Sequence, residues 1–471
     1  MKLSKNMLSR RKFLRNASIG VAGTMVAPTI LSCSAKGAND RILIGHIGVG
    51  SQGTGELKGW FMPLDTAYQV ATCDPWLQRR EEAALYITNE YKKRGVAAPP
   101  NKTYLDFEEL LERDDIDAVH ITTPDHWHVP AAIKAARAGK HIYLAKPLGL
   151  SYPNYKILEK ELEANNVKFH YGTQQRAQSH LQLGIGMIKE GFIGEIERIE
   201  VWAPGYNDVE SPICHEVPVP NDFDFDKWTG PAPLNSYCPD RVTNNSSWFQ
   251  WDYSIGFLAG WGAHPLDVMV WGAKDKLTGP YTCEGTGGFW EPGGMYNNIR
   301  AWDVEIEYES GVKLHFIDAD KAFSGDMLNY LKFKEGNGTT FFGSKGWISL
   351  ARGKAESNIP ELEKKFTELR DENGNVNSPS HSMAQLFVDV VKGDISEVCP
   401  LDEAILSDCV SHMSNIAIRT GRKIKWDPKK GEVVGDPEAN LWFIREMREP
   451  YTVLSNSLAR IFPSVSLNTT W

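Results

Sequence analysis

The sequence predicts an α/β protein: a parallel-sheet N-terminal domain, then a second α/β domain on an open, mostly antiparallel sheet. Three observations predict it. Apolar runs alternate with amphipathic stretches from residue 42 to about residue 150. A glycine-punctuated turn closes the first apolar run. After Gly194 the alternation gives way to short strands with a two-residue period, split by glycine turns. At 471 residues the chain exceeds one small core, and two domains are expected.

The first strand spans residues 42–47, where Ile42, Leu43, Ile44 and Ile47 supply the apolar positions. It runs into Gly48-x-Gly50-x-x-Gly53, with Ser51 and Gln52 between the last two glycines and a helix beginning at residues 53–60. The first glycine permits a tight turn. The second lets backbone N–H groups approach a pyrophosphate, and the third lets helix and strand pack closely. A helix N-terminus there offers partial positive charge to phosphates. A second strand over residues 68–74 ends on Asp74, about 20 residues past the turn, where a carboxylate bonds a ribose 2′-OH. A 2′-phosphate would be repelled, so NAD is expected rather than NADP. This is the pattern of a Rossmann domain.

Further helices are expected over 77–94, 104–113, 130–138 and 155–165, and further strands over 118–122, 141–144 and 167–172. The nucleotide domain is drawn at 39–165. A substrate and oligomerisation domain follows at 166–451, with strands over 197–202, 302–308, 312–317, 331–333, 338–342 and 347–350 and late helices over 381–391 and 403–419. Residues 205–298 form a long insert rich in Pro, Asn, Trp and Tyr, and residues 452–471 form a tail.

The net charge is −9, which argues against nucleic-acid binding and offers no basic patch to a membrane surface. With 15 Trp and 16 Tyr, the aromatics serve packing, a sugar-binding cleft, or both. Residues 1–33 are set apart from the fold. Ser9-Arg10-Arg11-Lys12-Phe13-Leu14 and the small apolar run after it resemble a twin-arginine export signal. Ile30-Leu31-Ser32-Cys33 resembles a lipoprotein cleavage box with Cys33 as the lipidated residue. The expectation is therefore an exported, periplasmic protein handled by the twin-arginine machinery, with a lipid anchor at Cys33. Cys73, Cys214, Cys238, Cys283, Cys399 and Cys409 show no metal-ligand spacing, and no metal site is expected. Disulfide pairing cannot be deduced from spacing; Cys214–Cys238 is the pair to check.

Three strand ends converge where ligands bind in a parallel α/β sheet. The first is the glycine turn. The second is Thr122-Thr123-Pro124-Asp125-His126-Trp127-His128, whose backbone suits the nicotinamide half of a dinucleotide, though His126 and His128 equally suit a loop or cap role. The third is Ala145-Lys146-Pro147, where burial and an oxidised ring would lower the lysine pKa so that it moves a hydroxyl proton. Downstream, small residues lead into His264 near a helix start. A neutral imidazole there takes a hydroxyl proton. Asp267, one turn on, orients it or caps the helix.

These residues resemble the glucose-fructose oxidoreductase / inositol dehydrogenase / rhizopine-catabolism (Gfo/Idh/MocA) family of NAD(P)-dependent sugar oxidoreductases. The resemblance rests on Gly48–Gly53, Asp74, TTPDHWH at 122–128, AKP at 145–147, GTQQR at 172–176, FDFDKWTGPAP at 223–233, GWGAHPLD at 260–267 and REPY at 448–451. It implies Lys146 and His264 as the catalytic pair. Cofactor contacts are expected from Gly48, Gly50, Ser51, Gln52, Gly53, Asp74, Thr123, Pro124, His126, His128, Lys146 and Gln175, and substrate contacts from Arg176, Asp252, Tyr253 and Asp267. It also implies a carbohydrate substrate and a homo-oligomer formed through the open sheet. Two positions depart from the family pattern. Ala145 stands where Glu is usual, and Gly260 where an acidic residue often precedes the histidine by four, so Asp252 is an alternative proton carrier.

An exported member would hold its nucleotide tightly and regenerate it on the protein. Three functions follow from the sequence: a sugar oxidoreductase, an NAD-dependent glycosidase working by transient oxidation and elimination, and a non-catalytic sugar-binding protein with a vestigial nucleotide site.

Overall fold

The computed structural model describes residues 41–206, 209–243, 246–376 and 382–453. The expected export signal, Cys33, residue 381 of the expected late helix and the tail from residue 454 lie outside the described residues.

The first sheet has six parallel strands in the order β3-β2-β1-β4-β5-β6. They are β1 (Ile42–Ile47), β2 (Ala67–Cys73), β3 (Lys102–Tyr104), β4 (Ala118–Ile121), β5 (His141–Ala145) and β6 (Phe169–Gly172). The order reverses between β1 and β4, so their carboxyl ends diverge into a crevice. Every residue of β2 is buried, because helices cover both faces of a parallel sheet. Those helices include α1 (Ser51–Glu56, continued by a π-helical turn Leu57–Phe61), α2 (Leu77–Arg94), α3 (Phe107–Leu111), α4 (Asp125–Arg137) and α5 (Tyr152–Asn165). Helix α4 begins at Asp125, five residues before the expected start at 130, and carries Pro130 inside it. Asp125 and His128 thus sit in a helical first turn rather than a loop.

The second sheet has nine strands in the order β13-β12-β11-β7-β10-β9-β8-β14-β15. They are β7 (Ile196–Ala203), β8 (Tyr281–Gly288), β9 (Ala301–Tyr308), β10 (Lys313–Asp318), β11 (Gly338–Gly343), β12 (Gly346–Ala351), β13 (Lys354–Ser357), β14 (Ile424–Asp427) and β15 (Glu432–Val433). Only β7 and β10 pair in parallel; the other neighbours are antiparallel. Strand β9 shows why one face is open: Trp302, Val304, Ile306 and Tyr308 point inward while Glu305 and Glu307 are exposed. The inner face carries α6 (Ser179–Lys189), α7 (Ala263–Leu277) and α9 (Leu401–Thr420), and α8 (Met383–Lys392) packs on the π-helical turn of the first sheet's layer. One continuous apolar core joins the two sheets, from Ile44 through Leu266 to Trp302 and Phe341.

One expectation is corrected here. Residues 331–333 are not a strand; Leu331 and Phe333 are buried in a small cluster around Trp202 beside β7. The insert holds α7, the helix expected to start near His264, and also contributes β8 to the sheet. Within it Cys214 and Cys238 form a disulfide.

Candidate active site

The glycine turn is built as a cradle. Gly48 has φ +84°, and a Cβ there would lie 2.7 Å from the Thr122 carbonyl oxygen. A Cβ on Gly53 would lie 2.2 Å from the Gly48 oxygen and 2.4 Å from Thr122 Oγ1. Gly50 caps α1 without any side-chain cap, and a Cβ there would meet the Arg79 guanidinium at 3.4 Å. Across the turn, Asp74 accepts the Val49 N–H at 3.0 Å and the Trp76 N–H at 2.9 Å. Burial raises its pKa, while the nearby Arg79 guanidinium and those two N–H groups oppose the rise. Gly48, Gly50, Ser51, Gln52, Asp74, Thr123, Pro124, His128 and Lys146 line one cleft, so nine of the expected cofactor contacts share a cavity. A dinucleotide fits this donor set: an uncapped helix start for phosphates and a carboxylate for a ribose.

His128 locks the cleft floor. Its Nδ1 faces the Pro147 oxygen at 2.6 Å and its Nε2 the Thr123 oxygen at 2.8 Å, tying the end of β4 to the Lys146 turn. Lys146 is only 8% exposed, and its Nζ makes no hydrogen bond or ion pair among the described residues. It lies 4.9 Å from the centre of the Trp248 ring. Burial lowers its pKa, opposed by Asp125 and Glu56. Asp125 itself is buried and accepts the Ser254 hydroxyl at 2.7 Å and the Trp248 indole N–H at 3.3 Å. Asp125, in the first turn of α4, is thus the carboxylate whose charge acts most on Lys146, with no direct bond between the two.

His264 lies at the start of α7, 2% exposed, with Nδ1 buried and unpartnered. Burial pushes its pKa well below 6.5, and the positive charges of Lys146 and Arg352 push it the same way. Its ring stands 5.8 Å from Trp261, which is 6.3 Å from Phe257, which is 5.7 Å from Trp248. An aromatic wall therefore runs from Lys146 to His264. A Cβ on Gly260 would meet only Phe257, at 4.0 Å, so the position that lacks an acidic residue is open space.

Other expected site residues are placed elsewhere. Arg176 and Asp267 form a bidentate pair, Nε to Oδ2 at 2.7 Å and Nη2 to Oδ1 at 2.6 Å, while Arg176 also bonds Glu403 and Asp267 accepts the Thr173 hydroxyl. Both are buried and satisfied, so they join α7 to the GTQQR turn, and neither is among the residues lining the dinucleotide cleft; the Asp267 carboxylate is taken by Arg176 and Thr173 rather than by His264. Gln175 bonds Asn337. His126 bonds the Trp228 oxygen, and its ring lies 5.1 Å from Tyr253. Tyr253 belongs to an apolar cluster with Phe223, Phe225 and Trp228. Asp252 accepts the Asn235 amide at 2.8 Å in a half-buried position. Asp125 and Tyr451 lie inside quoted motifs but were given no role there, while Trp248 and Arg352 carry no local signal.

The quoted motifs also interlock. Trp127 donates to the Lys227 oxygen, a Cβ on Gly230 would strike the Trp127 ring at 2.1 Å, and Tyr451 stands edge-on to Trp127 at 5.5 Å.

Family models match both parts of the chain. Residues 42–173 match the oxidoreductase-family NAD-binding Rossmann fold, and residues 202–453 match the oxidoreductase-family C-terminal alpha/beta domain. The chain belongs to the Gfo/Idh/MocA oxidoreductase family. Its N-terminal part is that family's NAD-binding fold. Over 208 residues this family member is 29% identical to a glycosyl hydrolase family 109 protein of Shewanella pealeana, covering 40% of this chain and 44% of that one. Over 207 residues it is 26% identical to an alpha-N-acetylgalactosaminidase of Shewanella oneidensis, with the same coverage. The chain thus spans 44% of the length of these relatives. Among solved structures, the aldose-aldose oxidoreductase of Caulobacter crescentus superposes with a TM-score of 0.56 at 14% identity, covering 82% of this chain and 100% of that one. The WlbA dehydrogenase of Bordetella pertussis gives 0.58 at 15% identity, covering 82% and 98%. These two likenesses show the shared fold. Among the described residues no helix is long and apolar enough to cross a membrane, and no cluster of three metal-ligating side chains occurs.

Proposed function

We propose that the protein is an NAD-dependent oxidoreductase acting on a CH–OH group of a carbohydrate. The observation that carries this reading is the pairing of an unpartnered, buried Lys146 with a neutral, buried His264 at the two ends of an aromatic wall beside the dinucleotide cleft. When bound, NAD supplies the hydride acceptor. Lys146 takes up and holds the hydroxyl proton, helped by a pKa that burial lowers. His264, uncharged at neutral pH, accepts a hydrogen bond from the same or a neighbouring hydroxyl. Trp248 and Trp261 exclude water and offer faces for a sugar ring to stack on. NAD is favoured over NADP because Asp74 stands at the ribose position.

The glycosidase reading is kept for one reason: the family 109 relatives are named glycosyl hydrolases. Aryl glycosides separate the two. Oxidation of the sugar with matching NADH and no aglycone release supports the dehydrogenase. Aglycone release without net NADH favours the glycosidase. Nucleotide identified after denaturing the purified protein tests the shared premise, and its absence, with no NAD binding, returns the vestigial-site reading.

Export by the twin-arginine route, anchoring at Cys33 and oligomerisation through the open sheet are part of the same proposal. The Cys214–Cys238 disulfide supports an oxidising compartment. Fractionation of cells with and without Arg10→Lys plus Arg11→Lys tests the route; cytoplasmic accumulation of the variant is expected.

A further inference from the structure

The Lys146 ammonium has no carboxylate bonded to it; what stands beside it is a ring. Its Nζ lies 4.9 Å from the centre of the Trp248 ring. The same indole donates its N–H to Asp125 Oδ1 at 3.3 Å. The other oxygen, Oδ2, accepts the Ser254 hydroxyl at 2.7 Å. Asp125 opens α4 in the nucleotide domain, whereas Trp248 and Ser254 belong to the insert. Asp125, Lys146 and Trp248 all line the same cleft. Trp248 is held at its backbone too. Its carbonyl oxygen accepts the side-chain amide of the buried Asn298 at 2.9 Å, and the same amide bonds the Ser254 oxygen at 3.0 Å. The indole cannot turn without giving up a bond.

A lysine over a tryptophan ring is common, and so is an acid in the first turn of a helix; alone, neither would mean much. Two features distinguish this pair. Both Asp125 oxygens are spent on the insert. The indole also meets each charge with the matching part of itself: its positive N–H edge faces the carboxylate, and its negative face the ammonium. Trp248 therefore bridges two buried, opposite charges that share no direct bond.

From this arrangement we propose that Asp125 is a positioning residue for proton transfer, holding the Lys146 ammonium in the cleft through the Trp248 indole. As the C–H hydride of the sugar leaves, its O–H proton passes to the neutral Nζ and the carbonyl forms. The ammonium so made is stabilised over a ring whose orientation the carboxylate fixes. The indole–carboxylate bond also polarises the ring, which strengthens its hold on a cation. The inference rests on the oxidoreductase reading for the use of the proton, but the arrangement can be measured without turnover. Other charges reach the same lysine: Glu56 of α1 raises its pKa as Asp125 does, Arg352 between β12 and β13 lowers it, and His128 and His264 feel its charge. The experiment must therefore isolate the route through Trp248.

Trace acetylation of the full-length purified protein with acetic anhydride, across a pH series and read on the Lys146 peptide by mass spectrometry, follows the protonation of this lysine directly. The wild-type midpoint should lie below 10.5. Asp125→Asn should lower it by about one further pH unit. Trp248→Leu, which removes both the ring face and the N–H, should lower it too. In the Trp248→Leu background, Asp125→Asn should move the midpoint by less than about half as much. An equal shift in both backgrounds means that the carboxylate acts on the lysine without the indole, and overturns the proposal. No shift from Asp125→Asn leaves Asp125 only fastening the insert to α4, and overturns it as well. Circular dichroism checks each variant. Should Asp125→Asn fail to fold, an unchanged midpoint in Trp248→Leu still overturns the proposal. Midpoints that move as expected in a protein that oxidises no sugar sink the oxidoreductase reading and spare this one.

Discussion

Two buried polar clusters lie one helical turn apart at the start of α7, and they are opposites. In the first, Asp267 is bonded twice by Arg176 and once by Thr173, and Arg176 is completed by Glu403 and the Val398 carbonyl. In the second, His264 has an unpartnered Nδ1, and Lys146 points its ammonium at no acceptor. Both clusters stand in motifs of comparable polarity. The difference teaches that a buried polar group with every bond made is scaffold, whereas an incomplete one that also stands beside the cleft, as Lys146 and His264 do, is the candidate for meeting a ligand. Burial acts on the two accordingly. At Arg176 burial works against the charge but the surrounding carboxylates outweigh it and hold the guanidinium firmly charged, whereas burial pushes Lys146 and His264 toward their neutral forms.

The largest expected effect is on the incomplete cluster. Lys146→Ala and His264→Ala should each lower kcat/KM by about 10²–10⁴-fold, the span of general acid–base catalysis, without loss of fold. Steady-state kinetics with circular dichroism on both variants measures this. Wild-type turnover in either would remove that residue from the proton path. The acid limb of the rate profile should also rise with pH through a lysine pKa below 10.5 and disappear in Lys146→Ala.

The satisfied cluster should respond in the other currency. Arg176→Ala leaves Asp267 buried and uncompensated, and breaking such a pair costs about 3–5 kcal/mol of stability. Denaturant unfolding should show the loss, with the KM of whatever folded protein remains unchanged. A large KM increase at near-wild-type stability would return Arg176 to the substrate site.

The same contrast explains what the sequence could say. The Rossmann half was legible because its signals are local: an apolar run, a glycine turn, an acidic strand tip. Helix α2 falls at residues 77–94 as expected from its spacing. Lys146 and His264 were legible because each stands beside a recognisable turn. Arg176 and Asp267 were drawn into the site by their motifs, since no local pattern reveals that two residues 91 apart complete each other. Asp125 was hidden by Pro130, which suggested a helix start there and left 125–128 as loop. Arg352 lies on a hairpin turn whose place over Trp261 is set by the order of nine strands, a property of topology alone. Strand β3, at three residues, is too short to show a period.

Within the cradle the comparison can be made between glycines of one helix. Gly53→Ala would force a methyl to within 2.2 Å of the Gly48 oxygen, so the backbone must shift, at about 1–3 kcal/mol, and the turn must open. NAD affinity should fall by about tenfold or more on that scale. Gly55→Ala, two residues on, meets nothing within 4 Å and should be neutral or stabilise by up to about 1 kcal/mol. Equal NAD affinities in the two variants, measured by calorimetry, would show that the turn does not hold the nucleotide.

The smallest effect concerns histidines that serve no cleft. Burial lowers the pKa of His46 and His170 to about 3 and of His126 to about 4, against 6.5 when unfolded. Below pH 6.5 the unfolded chain takes up protons that the folded chain refuses. Their contribution to stability is therefore complete above about pH 6.5 and is lost as pH falls toward the folded values, by up to about 1.4 kcal/mol per pH unit for each histidine. His170 is the cleanest probe, because neither ring nitrogen has a partner and the ring stacks on Tyr143 at 5.3 Å. Phenylalanine keeps the stack and removes the titration. His170→Phe should narrow the stability difference between pH 7.5 and pH 5 by about 2 kcal/mol. An unchanged difference in paired denaturant titrations would mean that burial at this position does not set the protonation of His170.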